Sequence, residues 1–548
     1  MLSFVIFDEQ GPAKDPPLRH AHLLGKDELP VGGRVEFASG RVLCQKPTTE
    51  EAAFALQYPA GDAGVLTLQT CLLPDRERPY LLELELARHR IMLFLNKLEE
   101  WGLALLPTDH PAMLRFEQAR GDFTAALVSP RTGSGGFTPE QARLAREALI
   151  GAIHASELLA LHQAERQLHA RLNPDEDARQ LPPPRIGSAV HNEQFADPLK
   201  RVLATHFDFM NCPMRWKDIE PEESKFSFVG TDRWIEWAVR QGKMTVVGGP
   251  VLDFSPRSAP EWLGIWEHDY ESLREFAYEH AKRVVTRYRR TVKRWVVVSG
   301  VNLNRGFSLS LDQVMELTRL SVLIVRKLHP AAKIVVELAE PYGEHASAHP
   351  QSVAPHLYAQ LLLESGIQFD ALGLRLQTGD RASGRSTRDL MQLSALLDSY
   401  ACFEKPIDVT SLGAPSAPVP RPPGVGEPDD QDPHEPGNWR RPWTPAVQTD
   451  WLIESLTVCC SKPFVRSVCW QALYDTATNP EMPGGGLITA DGKAKPALRR
   501  LYEIRAALRN RRVPTKALAD AESADPGAST AEAPDGPVEP GADDPAAR

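Results

Sequence analysis

Three carboxylates stand where short β-branched runs end. Asp253 follows Val246–Leu252, and Glu337 and Glu340 sit in Lys333-Ile-Val-Val-Glu-Leu-Ala-Glu340-Pro. Two carboxyl groups that converge can act as general acid and general base, one giving a proton and the other taking it. Asp408 is the weaker candidate. It alternates with Val409, out of phase with Ser411, and should point toward the helices unless its strand is shifted. Arg375 is suited to clamp a carboxylate or phosphate. The competing expectation is an ion pair with Glu337 or Glu340, which Arg388 could also reach. Trp470, with Phe254 and Trp262, could stack on a flat ligand or simply pack. Asn302 and Asn304, after Trp295–Ser299, could hydrogen-bond a ligand or form turns. His345 and His349 have i, i+4 spacing near Glu340 and Glu344, a pattern that a metal site shares with ordinary loop histidines. No metal and no cofactor is expected. Ser411 has no evident histidine partner, so no serine triad is expected. Gly-x-Gly-x-x-Gly and Walker loops are absent, which removes the main support for nucleotide chemistry.

The elements that must position these residues divide the chain of 548 residues into several units. Residues 1–75 read as short strands, among them Val31–Phe37, Arg41–Gln45 and Val65–Gln69, in a possible β-sandwich. Residues 76–184 read as helical segment and linker. One helix is expected over 79–105. A second starts at Thr138-Pro-Glu-Gln141, where Thr138 can cap and Gln141 can close a capping box, and runs to about Leu172. From 185 to 511 short β-branched runs alternate with amphipathic stretches. The runs are Val246–Leu252, Trp295–Ser299, Lys333–Leu338, Phe369–Leu376, Pro406–Thr410 and Val465–Trp470. Such alternation signals a (β/α)₈ barrel or an open doubly wound sheet. A long loop insertion is expected at 413–445 and a disordered tail at 512–548. The net charge of −10 argues against a nucleic-acid partner. No apolar run is long enough for a membrane helix or a signal peptide, and the seven cysteines are scattered, so a reduced cytoplasmic protein is expected. Oligomeric state is not readable.

Several segments fall in the order of a known family. Met214-Arg-Trp216, Glu220-Pro221 and Phe226-Ser-Phe228 come first, then Val246–Phe254. Trp295-Val-Val-Val-Ser-Gly300, Phe369–Leu374, Lys405–Leu412 and Trp470 follow, with Lys495-Pro-Ala497 last. Together they resemble glycoside hydrolase family 10, the xylanase family, over roughly 186–508. The resemblance implies a (β/α)₈ TIM barrel with its site at the C-terminal ends of the strands, and a carbohydrate ligand. It also implies departures. The family's acid/base glutamate falls on Gly300 and its nucleophile on Ser411. Asn211, Cys212, Gly249, Asp253, Phe254, Ser299, Arg375 and Gln377 replace other polar or aromatic site residues, and Trp470 survives.

Retaining hydrolysis needs two carboxyl groups about 5 Å apart. Glycine has no proton to give, and a serine hydroxyl is a poor nucleophile and a worse leaving group here. Losing both roles should abolish that mechanism. The expectation is a barrel without retaining xylanase activity that binds a carbohydrate or other small ligand through Asn211, Asp253, Ser299, Asn302, Arg375, Gln377 and Trp470. One alternative is a hydrolase using Asp253 with Glu337 or Glu340, which as an inverting pair would need a separation of about 6.5–9.5 Å. The other is an assembly scaffold.

Overall fold

The computed structural model describes residues 1–8, 11–132, 136–174, 181–381, 384–418, 435–476 and 482–514. Residues 419–434 of the expected insertion at 413–445 and nearly all of the expected tail lie outside the described residues.

The N-terminal strands are β1 (Leu2–Val5), β2 (His22–Leu24), β3 (Pro30–Val31), β4 (Arg34–Ala38), β5 (Arg41–Gln45), β6 (Ala53–Pro59), β7 (Gly64–Gln69) and β8 (Tyr80–Leu81). They are followed by the helices α1 (Leu82–Glu100), α2 (Pro111–Val128) and α3 (Pro139–Leu172). Helix α2 is not legible as a separate amphipathic run, because its buried face is mostly alanine, Ala112, Ala119 and Ala126 around Phe116. It packs that face on α3. At the start of α3 the Thr138 hydroxyl accepts from the Gln141 amide at 3.2 Å. The reciprocal half of the expected capping box is not formed. Gln141 instead donates to the Ala126 carbonyl at 2.9 Å and ties α3 to α2.

The barrel strands are β9 (Arg185–Ala189), β10 (Phe209–Cys212), β11 (Thr245–Gly248) with its continuation β12 (Leu252–Asp253), β13 (Arg294–Ser299), β14 (Lys333–Leu338), β15 (Ala371–Gln377), β16 (Ile407–Gly413) and β18 (Val465–Trp470). The short strand β17 is Asn438–Trp439. Helices α4 (Asp197–His206), α5 (Trp216–Ile219), α6 (Val229–Arg240), α7 (Tyr270–Tyr288), α8 (Leu311–Leu328), α9 (Glu344–Ala348), α10 (Pro355–Glu364), α11 (Leu390–Ala401), α12 (Pro445–Ser461) and α13 (Pro496–Arg509) alternate with the strands. Every barrel strand pairs parallel to its neighbours, and β18 pairs back onto β9, so the sheet closes. This is the (β/α)₈ topology. Its interior is filled: Ala189, Phe209, Val247, Val296, Val335, Ala371 and Cys469, from seven different strands, form one buried cluster. Gly187 is required beside it, because a Cβ there would lie 2.4 Å from the Phe209 ring.

The N-terminal strands are not a free-standing sandwich. β17, from the loop after the seventh barrel strand, pairs with β7 and completes a five-stranded sheet with β6, β2 and β3. The Thr67 amide donates to the Thr387 carbonyl at 2.8 Å, and Ser347 donates to the Val31 carbonyl at 3.0 Å. Thr387, Ser347 and β17 all lie in connections that leave the C-terminal ends of strands. The N-terminal sheet therefore rests on the side of the barrel where such folds place their sites. Among the described residues no helix is long and apolar enough to cross a membrane.

Candidate functional site

The parallel register sets Asp253, Ser299 and Glu337 side by side at the ends of adjacent strands. Arg375 reaches the same point from β15. Its Nη2 lies 2.6 Å from Glu337 Oε1, and the Ser299 hydroxyl donates to the same oxygen at 2.5 Å. Glu337 is buried. Burial pushes its carboxyl above the usual range, and hydrogen bonds from Ser299 and Thr410 pull it back. Asp253 accepts from the Ser255 amide at 2.9 Å and has Arg257 at 3.5 Å. Each of these carboxylates thus faces a guanidinium. Of the two roles open to Arg375, the ion pair with Glu337 is the one formed.

The arc continues on β15, β16 and β18. Arg375 pairs in register with Ser411, and Gln377 donates to the Ser411 hydroxyl at 3.1 Å and also to Gln471. Arg375 Nε and Gln377 Oε1 are buried and have no hydrogen-bond partner within the described protein. A bound hydroxyl-bearing ligand or water would satisfy both, since one donates and the other accepts.

Gly300 closes β13 in the left-handed region, with φ +59°. A Cβ there would stand 3.1 Å from Ala339 Cβ and 3.3 Å from Leu303 Cδ1. A side chain at 300 would start crowded between two loop residues and from a backbone that favours glycine.

Glu340 pairs with Arg305 at 2.6 Å, and its other oxygen is buried without a partner. Burial raises its carboxyl from 4.5 to about 7. The folded state then holds a proton that the unfolded chain releases. Stability from this group is fully present below pH 4.5 and is lost as pH rises through about 7. Glu83, also raised to about 7 by burial, acts in the same window. Glu340→Gln is expected to flatten the fall in unfolding free energy across that window by up to one proton's worth of slope, measured by urea denaturation at stepped pH. An unchanged slope would show that Glu340 is ionised throughout.

Several expectations are corrected. Trp470 is 1% exposed, donates to the Gly485 carbonyl at 2.9 Å and meets Trp451 of α12 edge-on. It is a packing residue between strand and helix. Phe254 and Trp262 pack around Trp216 next to the third strand, several strands away, so the three make no common platform. Asn302 donates to the Val353 carbonyl at 3.0 Å, and Asn304 braces its loop through the Leu309 carbonyl and amide. Asn302 keeps one buried unpartnered oxygen, as does Asn211. Asn211 lines a small internal cavity below the mouth with Phe209, Arg294, Asp408 and Thr410. Asp408 points inward, against the simple alternation: register shifts in β16 let it meet Arg466 at 2.6 Å, Ser467 at 2.8 Å and Arg294 at 3.6 Å. His345 and His349 stack on each other, and His345 is held by Arg305 and the Leu303 carbonyl. A neighbouring guanidinium disfavours a metal there, and among the described residues no cluster of three metal-ligating side chains exists.

Residue-by-residue reading missed Gln471, Arg257, Arg305 and His20; Glu344 and Arg388, read beside other candidates, form a buried trio with His20. Glu344 lies 2.7 Å from His20 and 3.1 Å from Arg388, which hold its carboxyl well below the usual range. The adjacency of Gln471 to a strand-ending tryptophan was a usable signal. Nothing local marks His20, which lies 324 residues from its partner.

Comparison with known proteins finds partial likenesses. Residues 178–318 match the model of glycosyl hydrolase family 10. Endo-1,4-beta-xylanase A of Xylanibacter ruminicola is 30% identical over 131 residues, 22% of this chain and 34% of that protein. Endo-1,4-beta-xylanase 2 of Aureobasidium pullulans is 22% identical over 232 residues, 39% of this chain and 62% of that one. The chain thus spans less than two thirds of the length of either relative. Among solved structures, the family 10 protein of Paenibacillus barcinonensis superposes with a TM-score of 0.45 at 20% identity, over 59% of this chain and 95% of that one. Xylanase 10B from Thermotoga petrophila RKU-1, in complex with xylobiose, gives 0.43 at 18%, over 64% and 97%. The stretch that matches the glycosyl hydrolase family 10 model, 178–318, supplies the first four strands of the barrel.

Proposed function

We propose that the barrel mouth binds a carbohydrate and does not run the two-carboxylate hydrolysis that its family resemblance implies. One observation carries this reading: Glu337, the carboxylate best placed at the mouth, is buried and held by Arg375 and Ser299. Arg375 and Ser299 both engage its Oε1, and its burial removes it from solvent, so it is poorly disposed to attack a substrate or to exchange a proton with water. With Gly300 and Ser411 in the positions assigned to the family's glutamates, neither role has a side chain to fill it. The relocated pair of Asp253 and Glu337 is disfavoured on the same ground, since each faces an arginine. The unpartnered Gln377 Oε1 and Arg375 Nε supply an acceptor and a donor beside the Ser411 hydroxyl, a set that suits sugar hydroxyls.

Isothermal titration with xylotriose tests this. Binding is expected in the wild type, and Gln377→Ala is expected to weaken it by about tenfold, the value of one or two hydrogen bonds. Absence of binding to xylo-, gluco- and mannooligosaccharides at millimolar concentration would contradict the reading.

A further inference from the structure

The opposite end of the barrel carries a separate feature. Thr245, Arg294 and Lys333 stand near the starts of three adjacent strands, and the connections that lead into them share this face. Segments 240–245, 289–294 and 327–333 contain no acidic residue. They expose Lys243, Arg289, Arg290, Lys293 and Lys327, and none of these five is ion-paired among the described residues. The nearby acids are occupied: Asp208 takes Arg505 and Arg509, and Asp370 takes Arg326 and Lys333. In a chain of net charge −10, five unneutralised cations on one face create a local positive potential that attracts anionic groups.

The chain itself supplies one at this end. Helix α13 finishes beside Asp208, just before β10, and β10 is the neighbour of β11. The described residues stop a few positions later, at Pro514. Residues 515–548 carry eight acids, Asp520, Glu522, Asp525, Glu532, Asp535, Glu539, Asp543 and Asp544, against Lys516 and Arg548. The net charge of that segment is 2 − 8 = −6. From β10 to β14 is about three strand spacings, roughly 15 Å. A segment of this length can span at most about 110 Å, far more than that distance. We propose that residues 515–548 seat on this basic face of their own chain and mask it from other polyanions. The interaction is electrostatic and local to the end of the barrel away from the mouth, so it is independent of the ligand reading above.

Zero-length carbodiimide cross-linking of the full chain, read by peptide mass spectrometry, tests the proposal. Amide links from the acids of 520–544 are expected at Lys243, Lys293 and Lys327, roughly tenfold above those at Lys225 and Lys493, which lie on loops of the mouth side. Raising salt from about 50 mM to about 500 mM should remove most of that excess. Arg289→Glu with Arg290→Glu, both exposed, should reduce the links to the three lysines without altering the circular dichroism. Equal yields at Lys225 and Lys493 would overturn the proposal. So would links found only between two chains, which would mean that a second copy takes the tail. A third contrary result is unchanged heparin retention when the eight acids are replaced by their amides.

Discussion

Arg375→Ala is expected to lower the free energy of unfolding by about 3–5 kcal/mol at pH 7, the usual cost of leaving one member of a buried ion pair without its partner. Both side chains are almost fully covered, 6% and 4% exposed, and Nη2 lies 2.6 Å from the carboxylate. The cost comes from the stranded Glu337 charge and not from loss of a favourable pair as such. Two controls follow from that distinction. Glu337→Gln combined with Arg375→Met should recover most of the loss, since a neutral buried pair carries no unmatched charge. The deficit of Arg375→Ala should also shrink in acid, where Glu337 takes up a proton. Urea denaturation of the wild type and the two variants gives the comparison directly. A deficit below about 1 kcal/mol would mean that water reaches Glu337 and that the mouth is open around it.

The second large effect is expected where the helical segment meets the barrel. Arg90 of α1 donates to Asp389 through two nitrogens, at 3.1 and 2.6 Å, and both side chains are nearly fully buried. Asp389 also caps α11 by accepting from the Met391 and Gln392 amides. Asp389→Ala should therefore cost about 3–5 kcal/mol for the stranded arginine and about 1 kcal/mol for the cap. Asp389→Asn keeps an acceptor for the cap and isolates the charge effect. Hydrogen exchange in α1 should rise with the loss, because the pair ties α1 to a barrel loop 299 residues away. Unchanged protection in α1 would place the coupling elsewhere, with Lys97 and Lys462 on Asp398 as the next contact.

These two pairs show what was legible in the sequence and what was not. The β-branched runs at Lys333–Leu338 and Val465–Trp470 are strands as read, because a buried parallel strand needs continuous apolar residues. The first two barrel strands were harder to see. Arg185–Ala189 holds a glycine and a serine, and Phe209–Cys212 holds an asparagine facing the interior cavity. Arg375 and Glu337 were readable as a pair, since the ends of neighbouring strands share the mouth. Asp408 was misread because alternation holds only while register holds, and β16 shifts against both neighbours. Trp470 was ambiguous for a different reason: a strand-ending tryptophan faces either the mouth or the helices, and Trp451 on α12 decides it. The completion of the N-terminal sheet by β17 depends on strands more than 360 residues apart, beyond any local pattern.

The barrel framework and the mouth therefore carry different information. Within the framework, residues 178–318 match the glycosyl hydrolase family 10 model. The mouth places Gly300 in a left-handed turn and commits Glu337 to Arg375. The measurement that tests this most directly is the hydrolysis of an aryl β-xylobioside by the purified full chain, followed over hours at millimolar substrate from pH 5 to 8. The account predicts release at the uncatalysed rate at every pH. Turnover that is abolished by Glu337→Gln or Asp253→Asn, with folding intact, would contradict it and return these carboxylates to a catalytic role.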